Sequence, residues 1–265
     1  MHIEFYKYQG AGNDFVIIDD RLNSFERNDN ALVKLLCDRK FGVGADGLML
    51  LRSSDDYDFE MVYYNADGYE GSMCGNGGRC IVAFAFAQGI VQQTCKFIAV
   101  DGEHKASVIE HDNEQWVSLH MIDVNTIERG QGYCYLDTGS PHYVQVVENL
   151  SEYDVVEYGR EVRNNDRFKN EGTNVNFIEL TSENSLSIRT YERGVEDETL
   201  ACGTGVTAAV LSVHATGLTS SKEINVMALG GNLKVTFAVN GTQYTDVFLQ
   251  GPAELVFKGA MDVEV

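Results

Sequence analysis

Two cysteines of this chain share one local pattern: Cys74 stands in CGNGG and Cys202 in CGTG, and apolar residues follow both. Glycines directly after each cysteine, with apolar residues beyond them, predict a turn that opens a buried helix. The free N–H groups and the dipole at such a helix start favour negative charge. They would lower the pKa of a thiol and could hold a substrate carboxylate, so the pattern predicts acid–base chemistry by two thiols.

Both cysteine patterns belong to a longer repeat, in which residues 128 positions apart match each other. The matching pairs at this offset include Cys74 with Cys202, Gly75 with Gly203, Gly77 with Gly205, Tyr63 with Tyr191 and Glu70 with Glu198. Any one match is weak, but several matches in a single register indicate that the chain is two halves of one design. The period is far above the ~20–50 residues of short-period solenoids.

The segments around each cysteine predict strands on both sides of a helix. Alternating apolar residues predict strands in HIEFYKY and FVIID of the first half, and in YCYLD and YVQVV of the second. FEMVYYN and LSIRTYE lead toward the two cysteines, and three further strand-like segments follow each helical stretch. Each half is therefore predicted to be a β-rich unit around one buried helix, and Leu32–Arg39 is predicted to form an additional amphipathic helix.

Composition and charge restrict the classes of partner. The net charge of −20, with no basic patch, disfavours nucleic acid and anionic membrane surfaces. The start, MHIEFYKYQG, has no basic region followed by an apolar one, and the apolar run Cys80–Val91 is too short to span a bilayer. We therefore expect a cytoplasmic protein with a small-molecule substrate.

The other cysteines give no sign of a metal site or a disulfide framework. The chain has six cysteines at irregular spacing and no CxxC pair. No metal is predicted. Four cysteines are expected to be small apolar residues of the core, namely Cys37, Cys80, Cys95 and Cys134.

A repeat with one cysteine in each half suits a particular reaction class. Two halves related by pseudo-symmetry would bring Cys74 and Cys202 face to face across a cleft, one as a thiolate base and the other as a thiol acid. Such a pair can invert a carbon that bears an acidic hydrogen, because one thiol removes the hydrogen and the other returns a proton on the opposite face. The helix starts would stabilise the developing carbanion.

Four motifs together resemble the diaminopimelate epimerase family: NADGYEGSMCGNGGRC, YERGVEDETLACGTG, GNDFVIID and GSPHYV. The resemblance covers almost the whole chain. It implies an α/β (α+β) fold of two pseudo-symmetric lobes, each a barrel-like, mostly antiparallel sheet around a central helix. The expected lobes are residues 1–124, joined by a C-terminal strand over 254–265, and residues 125–253. The activity implied is the interconversion of LL- and meso-diaminopimelate for lysine and cell-wall synthesis, without cofactor or metal.

The resemblance also implies roles for individual residues. Cys74 and Cys202 match the acid–base pair, and His142 and Glu192 match groups that tune the pKa of the cysteines. The residues that match substrate contacts are Asn13, Asn65, Gly75, Asn76, Ser140, Asn174, Glu192, Arg193, Gly203 and Thr204. Glu192 and Arg193 would read the ammonium and carboxylate groups of the substrate.

The chain departs from the family pattern at two positions. Ser140 and Gly47 stand where many members carry Asn and Gln, which affects substrate contacts rather than the chemistry. Asn13 and Asn65, taken alone, lie in turn-like sequences. Arg193, taken alone, would form a surface salt bridge with Glu192 or Glu196.

Other functions remain open from the sequence. A proline or hydroxyproline racemase would share the fold and chemistry, but proline has no second charged end for Glu192 and Arg193 to bind. Phenazine-type isomerases lack the cysteine pair. A non-catalytic amino-acid binding protein would need the helix starts but not two thiols. A homodimer is possible.

Overall fold

The computed structural model describes residues 1–71, 73–112 and 114–263. The chain divides into two compact units. The first unit contains Met1–Leu119 together with the C-terminal segment that begins at Gly251, and the second contains His120–Gln250. Within the described part of the chain, no helix has both the length and the apolar character that crossing a membrane requires.

The first unit consists of strands with two helices between them. In chain order its elements are β1 (His2–Gly10), β2 (Asn13–Asp19), α1 (Asn30–Cys37), β3 (Gly47–Arg52), β4 (Phe59–Asn65), α2 (Gly75–Ala87), β5 (Thr94–Ala99), β6 (Gly102–His111) and β7 (Glu114–His120).

The second unit follows the same plan. Its elements are β8 (Glu128–Arg129), β9 (Tyr133–Asp137), β10 (Pro141–Val146), a 3-10 turn (Leu150–Glu152), α3 (Val155–Arg163), β11 (Asn174–Ser182), β12 (Ser185–Glu192), β13 (Asp197–Thr199), α4 (Gly203–Ala215), β14 (Glu223–Ala228), β15 (Gly231–Asn240) and β16 (Gln243–Pro252). The last strand, β17 (Glu254–Asp262), pairs antiparallel with β1 of the first unit.

The strand pairings of the two units match one by one. In the first unit β1–β2 is antiparallel, β2–β3 parallel, β3–β4 antiparallel and β4–β5 parallel. In the second unit β9–β10, β10–β11, β11–β12 and β12–β14 show the same alternation. Phe15 lies opposite Gly47, and Tyr143 lies opposite Val175, so this pairing keeps the 128-residue offset. The predicted repeat and fold class are confirmed.

A buried helix lies at the centre of each unit because its sequence is apolar on nearly every side. Helix α2 contacts β1, β2, β3, β6 and β17, and α4 contacts β9, β10, β11, β12 and β15, so each sheet wraps around its helix. Every residue of α2 from Gly75 to Ala85 is buried, as is every residue of α4 from Gly205 to Val213. The two helices span Gly75–Ala87 and Gly203–Ala215, which again are 128 positions apart.

The two smaller helices differ in how well the sequence predicted them. Helix α1 lies at Asn30–Cys37, two residues before the predicted Leu32–Arg39, because the Asp29 side chain accepts a hydrogen bond from the Leu32 N–H and fixes the start there. Helix α3 was not predicted from the sequence. Its interior residue Gly159 lowers helix propensity, but a Cβ there would lie 2.4 Å from the Cβ of Tyr191. Gly159 therefore permits α3 to pack closely on β12.

Candidate active site

Cys74 is the N-cap residue of α2 and is half-buried. Its Sγ accepts a hydrogen bond from the Gly77 N–H at 3.1 Å. A thiol in this position lies at the positive end of the helix dipole, where a thiolate is favoured. Cys74 and the start of the helix therefore have the geometry that the sequence pattern predicts.

A buried cation lies one turn below Cys74. Arg79 is fully buried, and its guanidinium donates to the Gly75 carbonyl at 3.2 Å and to the Asn76 Oδ1 at 3.0 Å. Burial lowers the pKa of Arg79, whereas negative charge on Cys80 or Cys74 would raise it. The interaction is mutual, so the Arg79 charge favours a thiolate at Cys74. Sequence reasoning missed Arg79, although a lone arginine at the start of an apolar helix was a signal for it.

Asn13 connects the start of α2 to a cluster of charged side chains. Its Oδ1 accepts from the Asn76 Nδ2 at 3.1 Å, and its Nδ2 donates to Asp46 at 2.6 Å. Arg39 bridges Asp46 at 2.8 Å and Asp14 at 2.7 Å. Because Asp46 can only accept hydrogen bonds, the orientation of the Asn13 amide is fixed.

Asp14 is the most strongly bound carboxylate of this cluster. It pairs with Arg39 and, at 2.6 Å, with the buried Lys7. Burial alone would raise the pKa of Asp14, but hydrogen bonds and charge from Arg39 and Lys7 lower it to about 2. Lys7 also donates to the Gly44 carbonyl. The cluster therefore holds the β1–β2 end of the first unit in one arrangement.

Asn65 lies at the exposed end of β4 beside Tyr63. Its Oδ1 accepts from the Tyr63 hydroxyl at 3.1 Å. At Gly47, a Cβ would lie 2.6 Å from a ring carbon of Tyr63 and 2.6 Å from the Tyr64 carbonyl oxygen. The Tyr63 ring fills the space beside the backbone of β3. This packing explains why this chain has a glycine at position 47, where many family members carry Gln.

Cys202 occupies in α4 the position that Cys74 occupies in α2. It is the N-cap residue, it is half-buried, and its Sγ lies 3.4 Å from the Thr204 Oγ1. The Thr204 backbone carbonyl accepts from the Thr138 hydroxyl at 2.8 Å. The start of α4 is thus tied to the turn between β9 and β10.

His142 lies directly behind Thr204 and is fully buried. Its Nε2 is 2.9 Å from the Thr204 Oγ1 and 3.0 Å from the Ser140 Oγ, and its Nδ1 is 3.1 Å from the Asn176 Nδ2. Burial, and to a smaller extent the charge of Arg193, lower the pKa of His142 to about 3. His142 is therefore a neutral imidazole at physiological pH.

Gly205 allows α4 to approach these side chains. A Cβ there would lie 2.4 Å from the Asn176 Oδ1 and 3.3 Å from the His142 ring. The glycine after Thr204 in CGTG is thus required by close packing of the helix on Asn176 and His142.

Asn174 is buried at the start of β11, opposite His142 of β10. Its Nδ2 donates to the Ser140 Oγ at 3.2 Å, and its Oδ1 accepts from the Arg193 N–H at 2.9 Å. The structure therefore brings together five of the residues singled out in the second half of the sequence: Ser140, His142, Asn174, Cys202 and Thr204.

Glu192 is the last residue of strand β12 and Arg193 follows it, and different groups hold the two side chains. Glu192 accepts from the Thr199 hydroxyl at 2.9 Å. Arg193 is exposed, and its guanidinium donates to the Glu171 carbonyl at 3.0 Å. Glu196, which the sequence offers as a salt-bridge partner of Arg193, pairs instead with Arg163 at 3.3 Å.

The remaining cysteines differ from Cys74 and Cys202 in burial. Burial raises the pKa of Cys37 and of Cys95 to about 12, and it also raises the pKa of Cys80 and of Cys134. These four thiols stay protonated at neutral pH, as expected of small core residues. Among the residues that the structure describes, no cluster of three or more His, Cys, Asp or Glu side chains could hold a metal ion.

Comparison with solved structures defines the class of fold. The chain is similar to the crystal structure of the Bacillus anthracis phenazine biosynthesis protein of the PhzF family, with a TM-score of 0.77 over 99% of this chain and 100% of that chain. The sequences are 16% identical, so this similarity defines the fold alone. The protein therefore has the architecture of the PhzF-type proteins.

Comparison of sequences defines the family. The family model described as diaminopimelate epimerase matches residues 5–127 and 134–256. A diaminopimelate epimerase of Flavobacterium psychrophilum is 50% identical over 97% of this chain and 99% of its own length. One from Chlorobaculum tepidum is 43% identical over 95% and 98%. The chain belongs to the diaminopimelate epimerase family.

Proposed function

We propose that this protein epimerises LL-diaminopimelate to meso-diaminopimelate, without a cofactor, for lysine and peptidoglycan synthesis. The relatives that match nearly its whole length carry the name of this activity. The observation that supports the chemistry most strongly is the repeated position of Cys74 and Cys202, each at the N-cap of a buried helix. Each thiol lies where the helix dipole and N–H groups favour negative charge.

The proposed reaction has two proton transfers. The thiolate of one cysteine takes the α-hydrogen of the substrate as a proton, and the electrons of that C–H bond remain on carbon as a carbanion. The thiol of the other cysteine then gives its proton to the opposite face, so the first sulfur ends as a thiol and the second as a thiolate. The mechanism requires both sulfurs to reach the same carbon, and their roles exchange in the reverse direction.

The helix starts have a second role in this proposal. The N–H groups at Gly75–Asn76 and at Gly203–Thr204 bind the α-carboxylate of the substrate and stabilise the charge that develops beside it. Such donors are fixed before the reaction starts, so no reorganisation is needed when the carbanion forms.

The remaining polar residues are proposed to bind the rest of the substrate. Asn13, Asn65, Asn174 and Ser140 provide hydrogen bonds. Glu192 and Arg193 bind the ammonium and carboxylate groups, a function that suits the exposed guanidinium at the end of β12. Glu192 and His142 also tune the pKa of the cysteines. A substrate with a second charged end uses these groups, whereas proline does not.

Proton NMR in D2O tests the proposal directly. Reduced enzyme should remove the α-hydrogen signal of LL-diaminopimelate while the meso isomer forms. We expect Cys74→Ser and Cys202→Ser each to lose at least about a hundredfold in rate, because both faces of the carbon need a proton carrier. Cys134→Ala is the matched control, since that thiol is buried away from the helix start, and it should retain activity.

Two outcomes would contradict the proposal. Near-wild-type turnover in either serine variant would exclude the two-thiol mechanism. Tight binding of diaminopimelate with no exchange, by protein with reduced thiols, would indicate a binding protein instead.

We further propose that the protein acts in the cytoplasm, with lobes at residues 1–124 plus 254–265 and at 125–253. We also propose that the protein assembles as a homodimer. Light scattering after gel filtration measures the mass and so tests this assembly. A mass of one chain across a range of concentrations would exclude the dimer.

A further inference from the structure

A continuous set of hydrogen bonds leads from the interior of the second unit to Cys202. His142 Nε2 lies 2.9 Å from the Thr204 Oγ1, which lies 3.4 Å from the Cys202 Sγ. Ser140 Oγ lies 3.2 Å from the same Thr204 oxygen. Hydroxyl and imidazole groups can each donate or accept, so the direction of these bonds must be derived from groups that cannot do both.

Asn176 fixes the protonation of His142. The Asn176 Nδ2 donates to the Tyr143 backbone carbonyl at 2.9 Å, and a carbonyl can only accept. The orientation of the amide is therefore determined, and its Oδ1 accepts from the Thr190 hydroxyl at 2.9 Å. The same Nδ2 group lies 3.1 Å from the His142 Nδ1, so this ring nitrogen accepts and carries no proton. In the neutral ring the proton is on Nε2, which donates.

Asn174 fixes the direction of the second branch. Its Oδ1 accepts from the Arg193 backbone N–H at 2.9 Å, and an N–H can only donate. Its Nδ2 therefore donates to the Ser140 Oγ at 3.2 Å. Ser140 also lies 3.0 Å from the His142 Nε2, but this protonated nitrogen cannot accept a hydrogen bond from the Ser140 hydroxyl. The hydrogen of the Ser140 hydroxyl is then directed to the remaining neighbour, the Thr204 Oγ1.

Both branches end on one oxygen. The Thr204 Oγ1 has two lone pairs, which accept from His142 and from Ser140. Its own hydrogen is left to point at the Cys202 Sγ. A hydroxyl that donates to sulfur stabilises the thiolate more than the thiol.

We propose that Asn176 and Asn174 are positioning residues that direct the Thr204 hydroxyl to donate to Cys202 and so hold its sulfur as the thiolate. This inference rests on the proposed function, because it explains how Cys202, in the second half of the repeat, is held as the thiolate that acts as a base. Burial keeps His142 neutral over the working pH range and so preserves the direction of the network.

The protonation of His142 can be measured without turnover. In ¹⁵N NMR of the whole protein, we expect Nε2 to show the shift of a protonated nitrogen and Nδ1 that of an unprotonated one. A ring protonated at Nδ1, or at both nitrogens, near pH 7 would overturn the proposal. In Asn176→Asp the carboxylate accepts from Nδ1, so the proton should move from Nε2 to Nδ1.

The donor to sulfur is tested by a matched pair of variants. Alkylation of Cys202 by iodoacetamide at pH 7, followed by peptide mass spectrometry, measures its thiolate fraction. We expect Thr204→Val to react about tenfold more slowly than wild type, because one charge-assisted hydrogen bond is lost. Thr204→Ser retains the hydroxyl and should react at the wild-type rate. At a pH where Cys202 is fully ionised, the difference should disappear.

The outcomes separate this inference from the proposed function. Equal reactivity of wild type and Thr204→Val at pH 7 would overturn the inference even if the enzyme is an active epimerase. If Cys202 is alkylated slowly in Thr204→Val but at the wild-type rate in Thr204→Ser, the inference is supported even if diaminopimelate is not the substrate. Because Arg193 is unchanged in both variants, its charge cannot cause the difference.

Discussion

Arg79 and Thr207 occupy matched positions 128 residues apart, and each donates a hydrogen bond to the first carbonyl of its own helix. Arg79 donates to Gly75 at 3.2 Å, and Thr207 donates to Gly203 at 3.0 Å. One donor is a cation and the other is neutral. The two halves therefore share a backbone design, but the matched position holds a buried cation at the start of α2 and a neutral hydroxyl at the start of α4.

Replacement of Arg79 tests the role of this charge. Arg79→Met removes the cation but keeps most of the volume, and we expect Cys74 to be alkylated about tenfold more slowly at pH 7. Arg79→Lys keeps a charge and should show a smaller decrease. The rate of Cys202 in the same samples is the internal control, and an unchanged Cys74 rate in folded Arg79→Met would contradict the prediction.

The contact between Asp46 and Asn13 predicts coupled effects on activity. Asp46→Ala frees the Asn13 amide to rotate, so we expect kcat/KM to fall roughly three- to tenfold, about as much as in Asn13→Ala. In the double variant the loss should not increase much further, since both changes remove the same interaction. Losses that add in full would show that Asp46 acts separately from Asn13.

The space beside Gly47 predicts a packing effect. We expect Gly47→Ala to lower the free energy of unfolding by about 1–3 kcal/mol, because the new Cβ would overlap the Tyr63 ring and the Tyr64 carbonyl. Adding Tyr63→Ala should restore only part of the loss, since the carbonyl remains. Urea unfolding measures the stability of both variants, and a Gly47→Ala protein as stable as wild type would contradict this prediction.

His142 predicts a dependence of stability on pH. Its pKa is about 3 in the folded state, against an ordinary value of 6.5, so below pH 6.5 the unfolded chain binds a proton that the folded chain does not. The contribution to stability is therefore complete above pH 6.5 and is lost as pH falls toward 3. Between pH 7 and pH 5 we expect wild type to lose about 2 kcal/mol more than His142→Gln. Urea unfolding at the two pH values measures both proteins, and an equal loss of stability in His142→Gln would contradict this prediction.

Features that depend on local sequence were predictable. Each helix start follows from a cysteine and glycines next to an apolar run, so Gly75 and Gly203 could be located without any tertiary information. Because residues 128 positions apart match, the strand order predicted for one half also predicts the strand order of the other half. These patterns depend on neighbours in the chain, which a sequence displays directly.

Features that depend on distant contacts were not predictable. Asn176 acts on His142 only because β10 and β11 pair in parallel in one register, and no spacing in the sequence indicates this. The Tyr63 ring beside Gly47 likewise depends on the β3–β4 pairing. Helix α3 was not predicted because Gly159 lowers the helix propensity of its sequence. The reason for a glycine there is the close contact with Tyr191, which only the folded structure shows.

Strand β17 has a consequence for the order in which the protein can be completed during translation. It pairs with β1 from His2 to Gln9, so a strand that is synthesised after the whole second unit covers the edge of a strand that is synthesised before it. All residues of the second unit emerge before this pairing can form. Until then the edge of β1 is open to pairing with other nascent chains, so the emergence of β17 is the step that closes this route to aggregation.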